Sequence, residues 1–117
     1  MTRARETSEN ARQAKAWISF NGAGTAAINE SFNVDSLTDH GTGDYTINFI
    51  NAMSSAYYCI VAGGNGPINT SATAAHCIPF INFLRTSTAS GACVAWFKDE
   101  NSAHLADPNW AYVVIYQ

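Results

Sequence analysis

The chain has 117 residues, 47% of them apolar and only 13% charged, with a formal net charge of −3. That length suits one domain with one core, and the composition is the opposite of the polar, highly charged balance that keeps a chain disordered. The charge is uneven. Residues 1–15 carry Arg3, Arg5, Arg12 and Lys15 against Glu6 and Glu9, a net of +2, and the remainder carries Arg85 and Lys98 against seven acids, a net of −5. A mildly acidic body lacks the clustered cations that bind phosphate, which excludes nucleic acid as the main partner. The first residues have no apolar core of a secretory signal, and no apolar run reaches membrane-spanning length, so neither Sec export nor a membrane is expected.

In chain order, residues 1–14 are polar and Ala-rich. Ser8 is placed to cap a short helix through Ala16, with Arg5 and Glu9 at i,i+4, a helix too short to be stable alone. Residues 1–16 therefore read either as a frayed terminus or as an arm that orders on a partner. The body, 17–117, opens with Trp17–Phe20, a strand ended by Asn21-Gly22-Ala23-Gly24. Thr25–Val34 continues extended, with Ile28, Phe32 and Val34 as core candidates. Asp39, Gly41, Gly43 and Asp44 form a turn before the clearest strand, Asp44–Ile50, in which Tyr45, Ile47 and Phe49 alternate with Thr46 and Asn48.

Tyr57–Ala62 is a continuous apolar run, the pattern of a strand covered on both faces, and Gly63–Pro67 reads as a loop. Residues 68–77 suit either a helical turn or a strand start. Ile78–Arg85, Ala92–Lys98 and Trp110–Tyr116 complete about seven short strands. No segment of the body has a helical period, so an all-β antiparallel sandwich is expected.

Two motifs suggest chemistry and fail on context. Thr73–Cys77 (TAAHC) matches the surroundings of a serine-protease catalytic histidine, but no nucleophile loop of the Gly-Asp-Ser-Gly-Gly type follows. Asn21–Ala27 has the G-x-G-x-x-A shape of a dinucleotide turn, yet a strand-like segment follows it where that chemistry needs a helix. His40, His76 and His104 have no ligand spacing, although one histidine per chain can converge on a three-fold axis. Asp35, Asp39 and Asp44 lack the dense ladder of a calcium loop and read as turn formers. Cys59, Cys77 and Cys93 form an odd set, each in an apolar setting, and are expected as buried thiols. No catalytic residue, metal or cofactor is expected.

Aromatic residues make up 12% of the chain, more than a small core holds. Tyr57, Tyr58, Trp110 and Tyr112 are the candidates for a ligand or subunit interface, since Tyr and Trp combine apolar area with a polar tip. Adjacent Tyr57 and Tyr58 face opposite sides in a strand, so at most one points into the core.

Lys15-Ala16-Trp17-Ile18-x-Phe20-Asn21-Gly22, followed by Ser31-Phe32-Asn33-Val34-x-Ser36-Leu37-Thr38-Asp39-x-Gly41-Thr42-Gly43-Asp44-Tyr45-Thr46-Ile47-Asn48-Phe49, resembles a recurrent domain of bacteriophage tail-fibre and related virion proteins. The resemblance covers residues 15–62 well and the rest loosely. It implies a homotrimeric β-domain without catalytic residues, assembled in the host cytoplasm and located on the virion. The expected role is a short fibre, tip or capsid-decorating protein. Its arm, with Arg3, Arg5, Arg12 and Lys15, docks on other capsid or tail proteins, and a lectin-like module for host surface glycans is the alternative.

Overall fold

A computed structural model describes residues 13–65, 77–82, 85–98 and 105–117. The arm cations Arg3, Arg5 and Arg12, the short helix through Ala16 (up to residue 12), residues 68–76 with His76, and His104 lie outside the described residues. The described residues are all β: β1 (Ala16–Asn21), β2 (Ala27–Phe32), β3 (Val34–Gly41), β4 (Asp44–Phe49), β5 (Cys59–Asn65), β6 (Cys77–Ile81), β7 (Gly91–Lys98) and β8 (Trp110–Tyr116). They form two four-stranded sheets, sheet A in the order β2-β1-β8-β5 and sheet B in the order β3-β4-β7-β6, every pair antiparallel. Among the described residues no helix is long and apolar enough to cross a membrane.

The alternation read from β4 and β8 sets the core. Ala16, Ile18 and Phe20 of β1 and Ala111, Val113 and Ile115 of β8 face Tyr45, Ile47 and Phe49 of β4 and Ala92, Val94 and Trp96 of β7, all buried. Phe20, Tyr45 and Trp96 meet edge to face at centroid separations of 5.1, 5.5 and 5.8 Å, the arrangement that ring quadrupoles favour.

Several expectations are corrected. Asp39 and Gly41, expected in a turn, belong with the residues before them to strand β3, and the chain reaches it through Asn33 in the left-handed region at φ 57°. Asn33 holds this corner between the sheets. Its Nδ2 donates to the carbonyls of Lys15 and Asn51 at 3.0 Å each, and its Oδ1 accepts from Asn51 N–H at 2.8 Å. The reversal itself is confined to Thr42 and Gly43, between β3 and β4. Gly63–Asn65, expected as loop, belongs to β5.

The run Tyr57–Ala62 is not covered on both faces. It enters β5, the edge of sheet A, where Cys59 and Val61 are exposed. Cys59 is thus an exposed thiol, contrary to the buried setting expected, whereas Cys93 is buried as expected. Ile28 and Phe32 are exposed because β2 is the opposite edge of sheet A, with a register shift between Ser19 and Phe20 in its partner. Ala16, assigned to the arm, opens β1 and is fully buried, and the Lys15 N–H extends the ladder by donating to the Ile115 carbonyl at 2.7 Å.

Candidate interaction surface

Strand β8 lies between β1 and β5, and its burial alternates along its length. Ala111, Val113 and Ile115 point into the core. Trp110, Tyr112 and Tyr116 are exposed on the opposite phase, with Val114 half-buried among them. The register carries this apolar phase across the sheet. Phe32, Trp17, Val114 and Val61 form one row through β2, β1, β8 and β5, and Ser19 stands beside Tyr112. Trp110 and Tyr112 stack with a tilt of 35° at 5.7 Å, and the Trp110 Nε1–H donates to Ser19 Oγ at 3.3 Å. The exposures are 53% for Phe32, 52% for Val61, 51% for Trp110, 42% for Tyr112 and 39% for Tyr116. With the row through Trp17 and Val114, these side chains form an apolar patch on the outer face of sheet A, with Ser19, Glu30 and Asn65 as the polar residues beside it.

A polar clamp fixes the end of β8 that presents Trp110. Asp107 Oδ1 accepts from Gly43 N–H at 2.8 Å and from the Tyr45 hydroxyl at 2.9 Å. The Tyr45 oxygen also lies 3.1 Å from the Gly22 carbonyl, and Gly22 N–H donates to the Pro108 carbonyl at 2.8 Å. A side chain at Gly22 would collide with the Tyr45 hydroxyl and with Pro108 Cδ at 2.9 Å. The β1–β2 turn, the β3–β4 turn and the Asp107-Pro108-Asn109 segment are therefore locked together immediately before Trp110.

Of the four aromatic candidates, the structure brings Trp110 and Tyr112 together and separates the other two. Tyr58 is buried and is corrected from interface candidate to core residue. Its ring meets Phe49 edge to face at 5.7 Å, and its hydroxyl lies 2.8 Å from the carbonyls of Thr88 and Gly91. Burial pushes its phenol above the ordinary value, with Cys93 adding to the rise and a Ser87 hydrogen bond opposing it. Tyr57, the outward member of the pair, is 95% exposed but precedes Cys59, which pairs with Tyr116. It stands at the end of β8 away from Trp110, six residues or roughly 20 Å along the strand. Phe32, Trp17 and Val61 were missed as members of the face. Their strand pairing, which a single sequence does not display, is what gathers them.

The outer side of sheet B differs. On its β3–β4 half, His40 Nε2 lies 2.8 Å from Thr46 Oγ1, and Asn48 Nδ2 donates to Ser36 Oγ at 3.1 Å and Thr38 Oγ1 at 2.8 Å. Thr86 and Thr88 flank the same shallow groove. Asp44, read as a turn former, is buried. Its Oδ1 accepts from Asn82 Nδ2 at 2.6 Å, and both its oxygens lie 3.2 Å from Arg85 Nε. No group of three or more His, Cys, Asp or Glu side chains able to hold a metal occurs among the described residues. Comparison with protein-family models, with curated proteins and with solved structures found no match to this chain.

Proposed function

We propose that the chain is a non-enzymatic structural protein of a bacteriophage virion, a short fibre, tip or capsid-decorating protein. In this reading it is a homotrimer. It docks on capsid or tail proteins through residues 1–15, with Arg3, Arg5, Arg12 and Lys15 as the cationic contacts, and holds the sandwich outward. It takes no cofactor and binds neither nucleic acid nor membrane. The resemblance of residues 15–62 to virion domains supports this reading. The observation that carries it is the exposed, aromatic-rich outer face of sheet A on an otherwise well-packed sandwich, the feature of a module built to assemble.

The test is attachment to particles. Purified full-length protein is expected to co-sediment with virions and to give added density in their cryo-electron microscopy map. A chain lacking residues 1–14 is expected to lose both. Equal attachment with and without the arm, or none with the full chain, would overturn the reading.

A second reading, a lectin-like module for host surface glycans, is favoured by the tilted Trp110–Tyr112 pair beside Ser19 and Asn65, since sugar rings stack on such aromatics beside hydrogen-bonding side chains. A glycan array with no binding to any saccharide removes it.

A further inference from the structure

The outer face of sheet A is apolar on the phase that a sandwich strand normally turns to water. Taking about 200 Å² for a whole aromatic side chain, the exposures of Phe32, Trp110, Tyr112 and Tyr116 leave roughly 400 Å² of aromatic surface open. That is already the size of the largest patch on an ordinary monomer. It is also about half of the ~800 Å² per partner that a stable interface covers. Val61, Val114, Ser19, Glu30 and Asn65 extend the same face on all sides.

We propose that this face is where copies of the chain pack on one another, with β8 at the centre of the contact. The proposal deepens the homotrimeric reading above and rests on it for the number of copies alone. Three faces set around a three-fold axis bring three β8 strands, each with Trp110, Tyr112 and Val114, to one shared apolar column.

Charge favours a like partner. On this face the register places one carboxylate, Glu30, at the β2 edge. Asp35, Asp39 and Asp44 lie on β3 and β4 of the other sheet, and Asp107 is turned into the clamp on Gly43 and Tyr45. Among the described residues, copies of a chain with net charge −3 thus meet through the side that carries one carboxylate, and charges away from the contact are screened over about 8 Å at physiological salt. Rigidity favours it as well. The clamp at Gly22, Gly43 and Asp107 holds Trp110 in place before any partner arrives, which lowers the ordering cost of association.

The experiment is sedimentation velocity on the full chain over a wide concentration range. It compares wild type, the double variant Trp110→Thr/Tyr112→Thr, and Tyr57→Thr as an exposed aromatic at the other end of β8. Threonine suits an exposed strand, and circular dichroism checks that each variant keeps its sheets. Wild type and Tyr57→Thr are expected to sediment as trimers, and the double variant as a monomer, its dissociation constant raised at least 100-fold. A double variant that stays trimeric with unchanged affinity places the contact elsewhere and overturns the inference, while the virion reading stands. A monomeric wild type overturns it as well, and the particle co-sedimentation above then judges the virion role separately. A monomeric wild type whose tryptophan emission changes saturably with a host saccharide assigns the face to glycan instead.

Discussion

Gly24 and Gly43 have nearly the same backbone conformation, φ +64° and +67°, in opposite surroundings, so Gly24→Ala and Gly43→Ala separate two costs that usually occur together. A Cβ at Gly24 meets nothing within 4 Å and adds only left-handed strain, about 1 kcal/mol. A Cβ at Gly43 lies 2.6 Å from the Trp96 carbonyl oxygen, 2.8 Å from the Ala106 carbonyl oxygen and 2.9 Å from the Ala106 nitrogen. All three are backbone atoms held in a ladder: Ala106 N–H donates to Trp96 O, and Trp96 N–H donates to Gly43 O, both at 2.9 Å. Relief requires displacing that ladder and the Gly43–Asp107 bond. Overpacking costs of about 1–3 kcal/mol and about 1 kcal/mol per weakened hydrogen bond add to the strain, a total of roughly 3–5 kcal/mol. In urea denaturation with an m-value near ~1.5 kcal/mol/M, the midpoint falls by about 2–3 M for Gly43→Ala and by less than about 1 M for Gly24→Ala. Equal midpoints for the two variants would refute the packing argument and leave conformation as the whole effect.

Tyr58→Phe removes the phenol that bonds the Thr88 and Gly91 carbonyls and costs about 1 kcal/mol at neutral pH by thermal melting. Because the folded phenol titrates above its unfolded value, its contribution is whole below pH ~10 and is lost as pH rises through the folded value. Wild type is therefore expected to lose stability more steeply than the variant above pH ~10, and parallel pH profiles would count against a buried phenol. Arg85→Ala leaves the buried Asp44 carboxylate with Asn82. Because Arg85 is partly exposed, the loss is about 1–2 kcal/mol by denaturant midpoint, and no loss would mean the pair is fully screened. Asn33→Gly keeps the left-handed corner and loses three hydrogen bonds, whereas Asn33→Ala loses both. Alanine is expected to be the worse by about 1 kcal/mol, and a more stable alanine variant would refute the role of φ at this corner.

The layered β architecture is legible because inner faces follow strict period-two alternation. Tyr45, Ile47 and Phe49 could be placed in the core from Thr46 and Asn48 between them, and β8 from Val113 and Ile115. Edge position is not legible. Tyr57–Ala62 looks like a strand buried on both sides because its residues are apolar, but strand order puts β5 at a margin where Cys59 and Val61 meet solvent. Strand β3 was hidden because Asp35, Asp39 and Gly41 have poor strand propensity, and the ladder to β4 overrides it. The aromatic surplus pointed to a surface, and Trp110 and Tyr112 were named from it. Phe32 was assigned inward because the pairing with Trp17 that turns it outward is a property of two strands.

The two outer faces also show what a covered sheet looks like in this same molecule. On sheet B, the outward phase of β7 holds Cys93, Ala95 and Phe97, apolar like the outward phase of β8, yet all three are buried. At Cys93 the β6–β7 connection supplies cover from within the chain. Cys93 N–H donates to Ser87 Oγ at 2.9 Å and its thiol lies 3.7 Å from the Thr86 carbonyl. Asp44 ties Asn82, which follows β6 directly, and Arg85 to β4. The connection from β6 to β7 is thus pinned across the sheet by a buried carboxylate. Sheet A carries the larger apolar load, with Trp17, Phe32, Tyr112 and Trp110, and among the described residues no hydrogen-bonded segment crosses it. Among the described residues, the outward phase of β7 is thus buried while that of β8 is exposed at Trp110, Tyr112 and Tyr116, and it is this contrast within one molecule that the proposed packing of copies rests on.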